Sequence, residues 1–220
     1  MSYFVTGTDT GVGKTYVTAL LLRALNQAGV RAVGYKPIAC GDRQDADLLR
    51  AAGADPDLAM ELINPVYFKV PASPMAAGMI ENRVADVDAL RAGFRALQAH
   101  SDQVLVEGAG GWLVPISQGY SMADLAAELH LDVIVVVNNR LGALNHTLLT
   151  VEAIRARGLW CAGLVLNQVA DERDSASISN RILLERLLPG VPILAEVMHG
   201  EEWIDPAAVA ALARFGTAGE

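Results

Sequence analysis

The chain has 220 residues, a 52% hydrophobic share and a formal net charge of −8. This fits one α/β domain over residues 1–220 with a substantial core, and it speaks against a general nucleic-acid binder, whose affinity comes from Lys and Arg on phosphates. No apolar run approaches the ~20 residues that cross a bilayer, and Cys40 and Cys161 make neither a metal-ligand spacing nor a disulfide framework.

Met1 leads directly into Tyr3-Phe4-Val5 without a basic region or cleavage site, so a cytoplasmic protein away from membranes is expected. Tyr3 to Val5 reads as a buried strand, followed by Gly7-Thr8-Asp9-Thr10-Gly11-Val12-Gly13-Lys14-Thr15 and a helix from about Thr15 to Ala28, closed by Gly29. In a phosphate loop, glycines let successive N–H groups face an anion, and the following helix N-terminus favours it. Lys14 would reach the β- and γ-phosphates, and the Thr15 hydroxyl would ligate magnesium. The strict pattern asks for glycine where Thr8 stands, so this is a variant loop in the required strand–loop–helix context. The bland alternative is a glycine-rich turn with a surface lysine.

Val30 to Tyr35 is the next strand and ends in Gly34-Tyr35-Lys36-Pro37. Lys36 would lie on the same side of the sheet as the phosphate loop, at the end of the neighbouring strand, able to neutralise a transferring phosphoryl group. Residues 40–73 read as the loosest stretch, with Asp45 and Asp47 in a loop. Either is a candidate metal carboxylate, although taken alone each reads as an N-cap or a solvated surface group. Val87, Leu90, Phe94 and Leu97 recur at helical spacing.

Val104-Leu105-Val106 is a buried strand leading to Glu107 and a second glycine loop, Gly108 to Gly111. A carboxylate at the end of a buried strand is costly without a partner, and magnesium held by Thr15 would be one; the alternative is a solvated strand-end glutamate. Because that loop is polar, a Glu107→Gln change is expected to spare the fold. Helices at about Met122 to Leu129, Leu144 to Arg157 and Ser177 to Leu188 separate strands at Val133 to Val137, Leu164 to Leu166 and Ile193-Leu194. Continuous apolar strands alternating with helices predict a P-loop NTPase-like fold, a mainly parallel sheet covered on both faces, with ligands beyond the strands' carboxyl ends.

Together, Tyr3 to Thr10, Val12 to Thr15, Gly34 to Pro37, Val104 to Trp112 and Leu141-Gly142-Ala143-Leu144-Asn145-His146 resemble the dethiobiotin synthetases, over residues 1 to about 200. The resemblance implies ATP- and magnesium-dependent closure of the cyclic urea of dethiobiotin from 7,8-diaminononanoate and CO2. A carbamate of the diamine attacks the γ-phosphate to give a carbamic–phosphoric mixed anhydride, and the second amine closes the ring. Carried onto this chain, it makes Lys14 and Lys36 catalytic and gives magnesium to Thr15, Asp45 (preferred over Asp47) and Glu107. Gly11, Val12, Gly13, Lys14 and Thr15 would bind ATP, with Asn167 reading adenine and Gln168 beside the base. Thr10, Lys36, Cys40 and Gly110 would face the carbamate and diamine. Gly142, Ala143, Leu144 and Asn145 open a helix whose N–H groups would hold the substrate carboxylate from the partner subunit, implying a homodimer. His146 is read as a packing residue at that helix start.

Three positions depart from the family. Gly11 stands where some members carry glutamate, Cys40 where a small hydroxyl residue is expected, and Glu196-Val197-Met198-His199 lacks a proline near the base pocket. The competing reading is a partitioning or positioning ATPase that switches partner binding. Such proteins carry a signature lysine ahead of the Gly-x-Gly-Lys segment, where Asp9 stands here. A cobyrinate synthetase of the amidotransferase type would need a glutaminase domain for which the chain has no room.

Overall fold

A computed structural model describes residues 2–172 and 174–214. The elements run in chain order as β1 (Tyr3–Gly7), α1 (Lys14–Gln27), β2 (Ala32–Tyr35), β3 (Ile38–Cys40), α2 (Gln44–Ala52), α3 (Met60–Ile63), β4 (Val66–Phe68), α4 (Pro74–Ile80), α5 (Val87–Gln98), β5 (Gln103–Gly111), β6 (Pro115–Ser117), β7 (Tyr120–Ser121), α6 (Met122–Glu128), β8 (Asp132–Asn138), α7 (Ala143–Ala156), β9 (Cys161–Asn167), α8 (Ser175–Leu187), β10 (Ile193–Val197) and α9 (Pro206–Arg214). Six parallel strands form the main sheet in the order β10-β9-β8-β1-β5-β2.

Apart from Glu107 and residues near the strand ends, the strands are apolar because both faces are covered. Phe4, Val133, Val135 and Val137 point into one core with Leu90 and Phe94 of α5, Leu125 of α6 and Ile154 of α7. Their neighbours Tyr3, Val5, Ile134 and Val136 point into the other, against Val17, Leu21 and Leu25 of α1 and Val209 and Leu212 of α9. Successive strand residues face opposite sides, so a run without polar positions is what a doubly covered sheet requires. The predicted parallel α/β architecture is what the structure shows.

Four readings are corrected. Residues 40–73 hold two helices, α2 and α3, and the small parallel pair β3–β4; of these α3, β3 and β4, with three or four residues each, are too short to display a period. Asp45 and Asp47 accordingly sit in the first turn of α2, where acidic groups face the positive end of the helix dipole. The glycines after Glu107 continue β5, whose Gly111 still pairs with Gly7 of β1. β2 is not beside β1, because β5 lies between them.

Candidate active site

The carboxyl ends of β1, β5 and β2 open onto a cleft of ≈ 690 Å³. At its centre the chain after β1 wraps into the N-terminus of α1. The first-turn N–H groups of that helix have no acceptor within the helix and face outward, an anion site by construction. Gly13, the N-cap of α1, has φ +83°. A Cβ there would lie 2.2 Å from Asn167 Nδ2, which itself donates to the Val12 carbonyl at 2.8 Å. Glycine is therefore required twice, for the left-handed backbone and for the approach of β9 to the loop. Gly13→Ala is expected to lower ADP affinity at least about tenfold, through backbone strain and a displaced Asn167. Calorimetric titration checks this, and an unchanged dissociation constant would show that Asn167 yields freely.

Lys14 is buried and its Nζ donates to the Asp9 carbonyl at 3.2 Å. Burial, only partly offset by Glu107, holds its pKa below the usual lysine value. Below the loop lies a tight ionic cluster. Lys36 Nζ is 2.5 Å from Glu107 Oε1 and 2.6 Å from Asp45 Oδ2, and the Thr15 hydroxyl donates to Glu107 Oε1 at 2.7 Å. Burial works against the charge of Lys36, but Glu107 and Asp45 together outweigh it and raise its pKa. Partial burial likewise opposes ionisation of Asp45, yet Lys36 and Thr15 hold its carboxyl below the usual range. Asp47 turns away to Arg50, 3.2 Å distant on the surface of α2. Of the two aspartates, Asp45 is the one in the cluster.

Glu107 is fully buried, and its Oε2 has no hydrogen-bond partner among the described residues. A buried carboxylate oxygen left over, with a hydroxyl and a second carboxylate beside it, is a donor set that fits a hard divalent cation.

Thr10, Gly11, Gly13, Lys14, Thr15, Lys36, Cys40, Asp45 and Gly110 all line the cleft. Cys40 ends β3 there, and burial pushes its thiol up to about 11. Gly11 is exposed at φ +74° with open space around it. Asn167 and Gln168 follow at the end of β9, both buried; the Gln168 amide donates to Ala170 and Glu172 carbonyls. The departure at Met198 falls just past β10, where its N–H is held by the Glu201 carboxylate at 2.8 Å.

The helix start at Gly142, Ala143, Leu144 and Asn145 does not line this cleft. Gly142 caps α7 at φ +92°, and Gly142 and Asn145 are exposed. His146 is exposed as well, so within the chain it is not the packing residue expected; Ala143 of this turn is buried and Leu144 packs against the core. Several lining residues escaped the sequence reading, among them Tyr16, Ile38, Ala39, Pro71 and Val114. Tyr16, directly after Thr15, borders the cleft, and its hydroxyl donates to the Glu201 carbonyl, tying α1 to the segment after β10. Its position next to the loop was the available signal, but its partner lies 185 residues away.

Residues 1–204 match a family model described as an AAA domain. The solved structures similar to this one include cobyrinic acid a,c-diamide synthase from Mycobacterium smegmatis with bound ADP and magnesium, with a TM-score of 0.58 at 20% identity over 100% of this chain and 97% of that one. They also include the septum site-determining protein MinD from Pyrococcus horikoshii complexed with Mg-ADP, with a TM-score of 0.54 at 19% identity over 97% of this chain and 90% of that one. At such identities they establish the P-loop fold alone. Among curated relatives, the ATP-dependent dethiobiotin synthetase BioD of Aromatoleum aromaticum is 42% identical over 223 residues, 97% of either chain. The enzyme of the same name from Akkermansia muciniphila is 47% identical over 204 residues, 93% of this chain and 95% of its own. With that identity across nearly its whole length, on top of the phosphate loop and the buried lysine–carboxylate cluster, this chain belongs to the ATP-dependent dethiobiotin synthetase family.

Proposed function

We propose that this chain works as one ATP-binding synthetase domain that makes dethiobiotin from 7,8-diaminononanoate, CO2 and ATP. The observation that carries the reading is the convergence of Lys14, Thr15, Lys36, Asp45 and Glu107 at one cleft. The N–H groups of the loop and of the α1 N-terminus bind the phosphates, and Lys14 neutralises charge passing between the β- and γ-positions. Thr15, Asp45 and Glu107 would hold magnesium, which supplies charge neutralisation on the triphosphate when bound.

Lys36 supplies the cation that lets an anionic carbamate approach an anionic γ-phosphate. The carbamate oxygen forms a bond to phosphorus as ADP leaves. The second amine then adds to the carbamoyl carbon, phosphate departs and the amine proton is lost. Ile38, Ala39, Pro71 and Val114 give the cleft an apolar wall suited to the aliphatic diamine, with Thr10, Cys40 and Gly110 beside it. Asn167 and Gln168 flank the place of the adenine ring, where a carboxamide can both donate and accept.

The first turn of α7, Gly142 to Asn145, binds the carboxylate of the substrate bound to a second copy of the chain, making the enzyme a homodimer. Exposed Leu141, Leu149, Ile178 and Ile182 on α7, α8 and the turn before α7 support that contact. No helix among the described residues is long and apolar enough to cross a membrane, and free Cys40 and Cys161 suit a reducing cytoplasm.

Incubation with the diamine, bicarbonate, magnesium and ATP, followed by mass spectrometry, tests the reading. Dethiobiotin is expected, with ATP consumed only when diamine and bicarbonate are both present. ATP hydrolysis stimulated by DNA or lipid, without dethiobiotin, would instead make the chain a partner-switching ATPase.

A further inference from the structure

We infer that Lys36 is a built-in counter-ion that the divalent cation displaces, so that loading the metal delivers the Lys36 ammonium into the cleft. The inference rests on the reading of this cleft as an ATP- and magnesium-dependent site.

Lys36 Nζ bridges Asp45 Oδ2 at 2.6 Å and Glu107 Oε1 at 2.5 Å. Glu107 Oε1 also accepts the Thr15 hydroxyl at 2.7 Å, whereas Glu107 Oε2 is buried with no partner among the described residues. The ammonium therefore bridges the two carboxylates that, with the Thr15 hydroxyl, fit a divalent cation. A divalent cation on the same two carboxylates would lie beside the ammonium, and in a site shielded from water their repulsion is far larger than in bulk solvent. Without its lysine the Asp45–Glu107 pair would be an uncompensated pair of negative charges, one of them fully buried, which explains why the lysine is held there.

The backbone restricts how Lys36 can leave. Its N–H donates to the Ile63 carbonyl at 2.9 Å and its carbonyl accepts from the Asn64 amide at 2.8 Å, with Asn64 fully buried. The main chain is clamped on both sides, so displacement is a rotation of the side chain alone. Lys36 already lines the cleft together with Thr10, Cys40 and Gly110, the residues assigned to the carbamate and diamine. One event then places the metal and frees the second cation, so that Lys36 does not meet the substrate before the nucleotide's metal is present.

Two measurements test this without turnover. Mn2+ binding to the nucleotide-free protein, followed by electron paramagnetic resonance, is expected to be at least about tenfold tighter in Lys36→Met than in the wild type, because the competitor is gone. Equal affinities would overturn the exchange. If Lys36→Met does not fold without metal, the wild type alone decides through acetylation of its lysines read by mass spectrometry. With ADP present, labelling of Lys36 is expected to rise severalfold on going from EDTA to Mg2+, while Lys14 stays protected by the nucleotide. Labelling of Lys36 that does not respond to Mg2+ would equally overturn it. Dethiobiotin formation with no response of Lys36 would fail the exchange alone. A responsive Lys36 in a protein that makes no dethiobiotin would fail the ligase reading alone.

Discussion

Lys36→Gln is expected to lower turnover about 10²–10³-fold, with a much smaller change in nucleotide affinity. The carbamate and the γ-phosphate are both anionic, and Lys14 is committed to the phosphates by its place in the loop, where its Nζ sits over the Asp9 carbonyl. The carbamate then has no counter-charge unless a second cation reaches it. Lys36 is the lysine whose charge the site secures, because Glu107 and Asp45 raise its pKa against the effect of burial. Glutamine keeps a polar, slightly shorter side chain and removes that charge. Steady-state kinetics alongside calorimetry of nucleotide binding checks both halves. Turnover near the wild-type value would take Lys36 out of the reaction, and a matching loss of ATP binding would make it a nucleotide anchor.

Glu107→Gln is expected to act on both the metal and the fold. The side chain is fully buried and accepts from Lys36 and Thr15. Removing its charge leaves the buried Lys36 ammonium with Asp45 alone, whose side chain is 47% exposed. Breaking a buried pair in this way costs about 3–5 kcal/mol, and the remaining Asp45 contact places the loss toward the lower end. The sequence-based expectation that the fold would be spared is corrected here, since it put Glu107 beside a polar loop and the structure puts it inside β5. Turnover should also require far more magnesium, because the oxygen pair that fits the cation becomes a neutral amide. Magnesium titrations of activity that superimpose on those of the wild type would remove Glu107 from the metal site. A denaturation midpoint that does not move would show that Asp45 compensates Lys36 by itself.

The amino-acid sequence by itself determined the elements whose signal is local. Phe4, Val133 and Ile134 lie in uninterrupted apolar runs because both faces of the sheet are covered, and such runs can be read without knowing their neighbours. Gly13, Lys14 and Thr15 are adjacent in the chain, so the phosphate loop and the start of α1 were readable as a unit. Only the tertiary structure decided the order of the strands, which inserts β5 between β1 and β2, and the continuation of β5 through Gly108 to Gly111, which depends on pairing with β1. It also decided that Asp45 rather than Asp47 meets Lys36, since side chains two residues apart on a helix point to opposite sides, whereas a loop would leave them equivalent. The central cluster joins Lys36 to Glu107 across 71 residues and Thr15 to Glu107 across 92. Short-range pattern carries no information about a charge whose partner is brought to it by the packing of parallel strands, and that packing is what turned three separate polar residues into one buried ionic site.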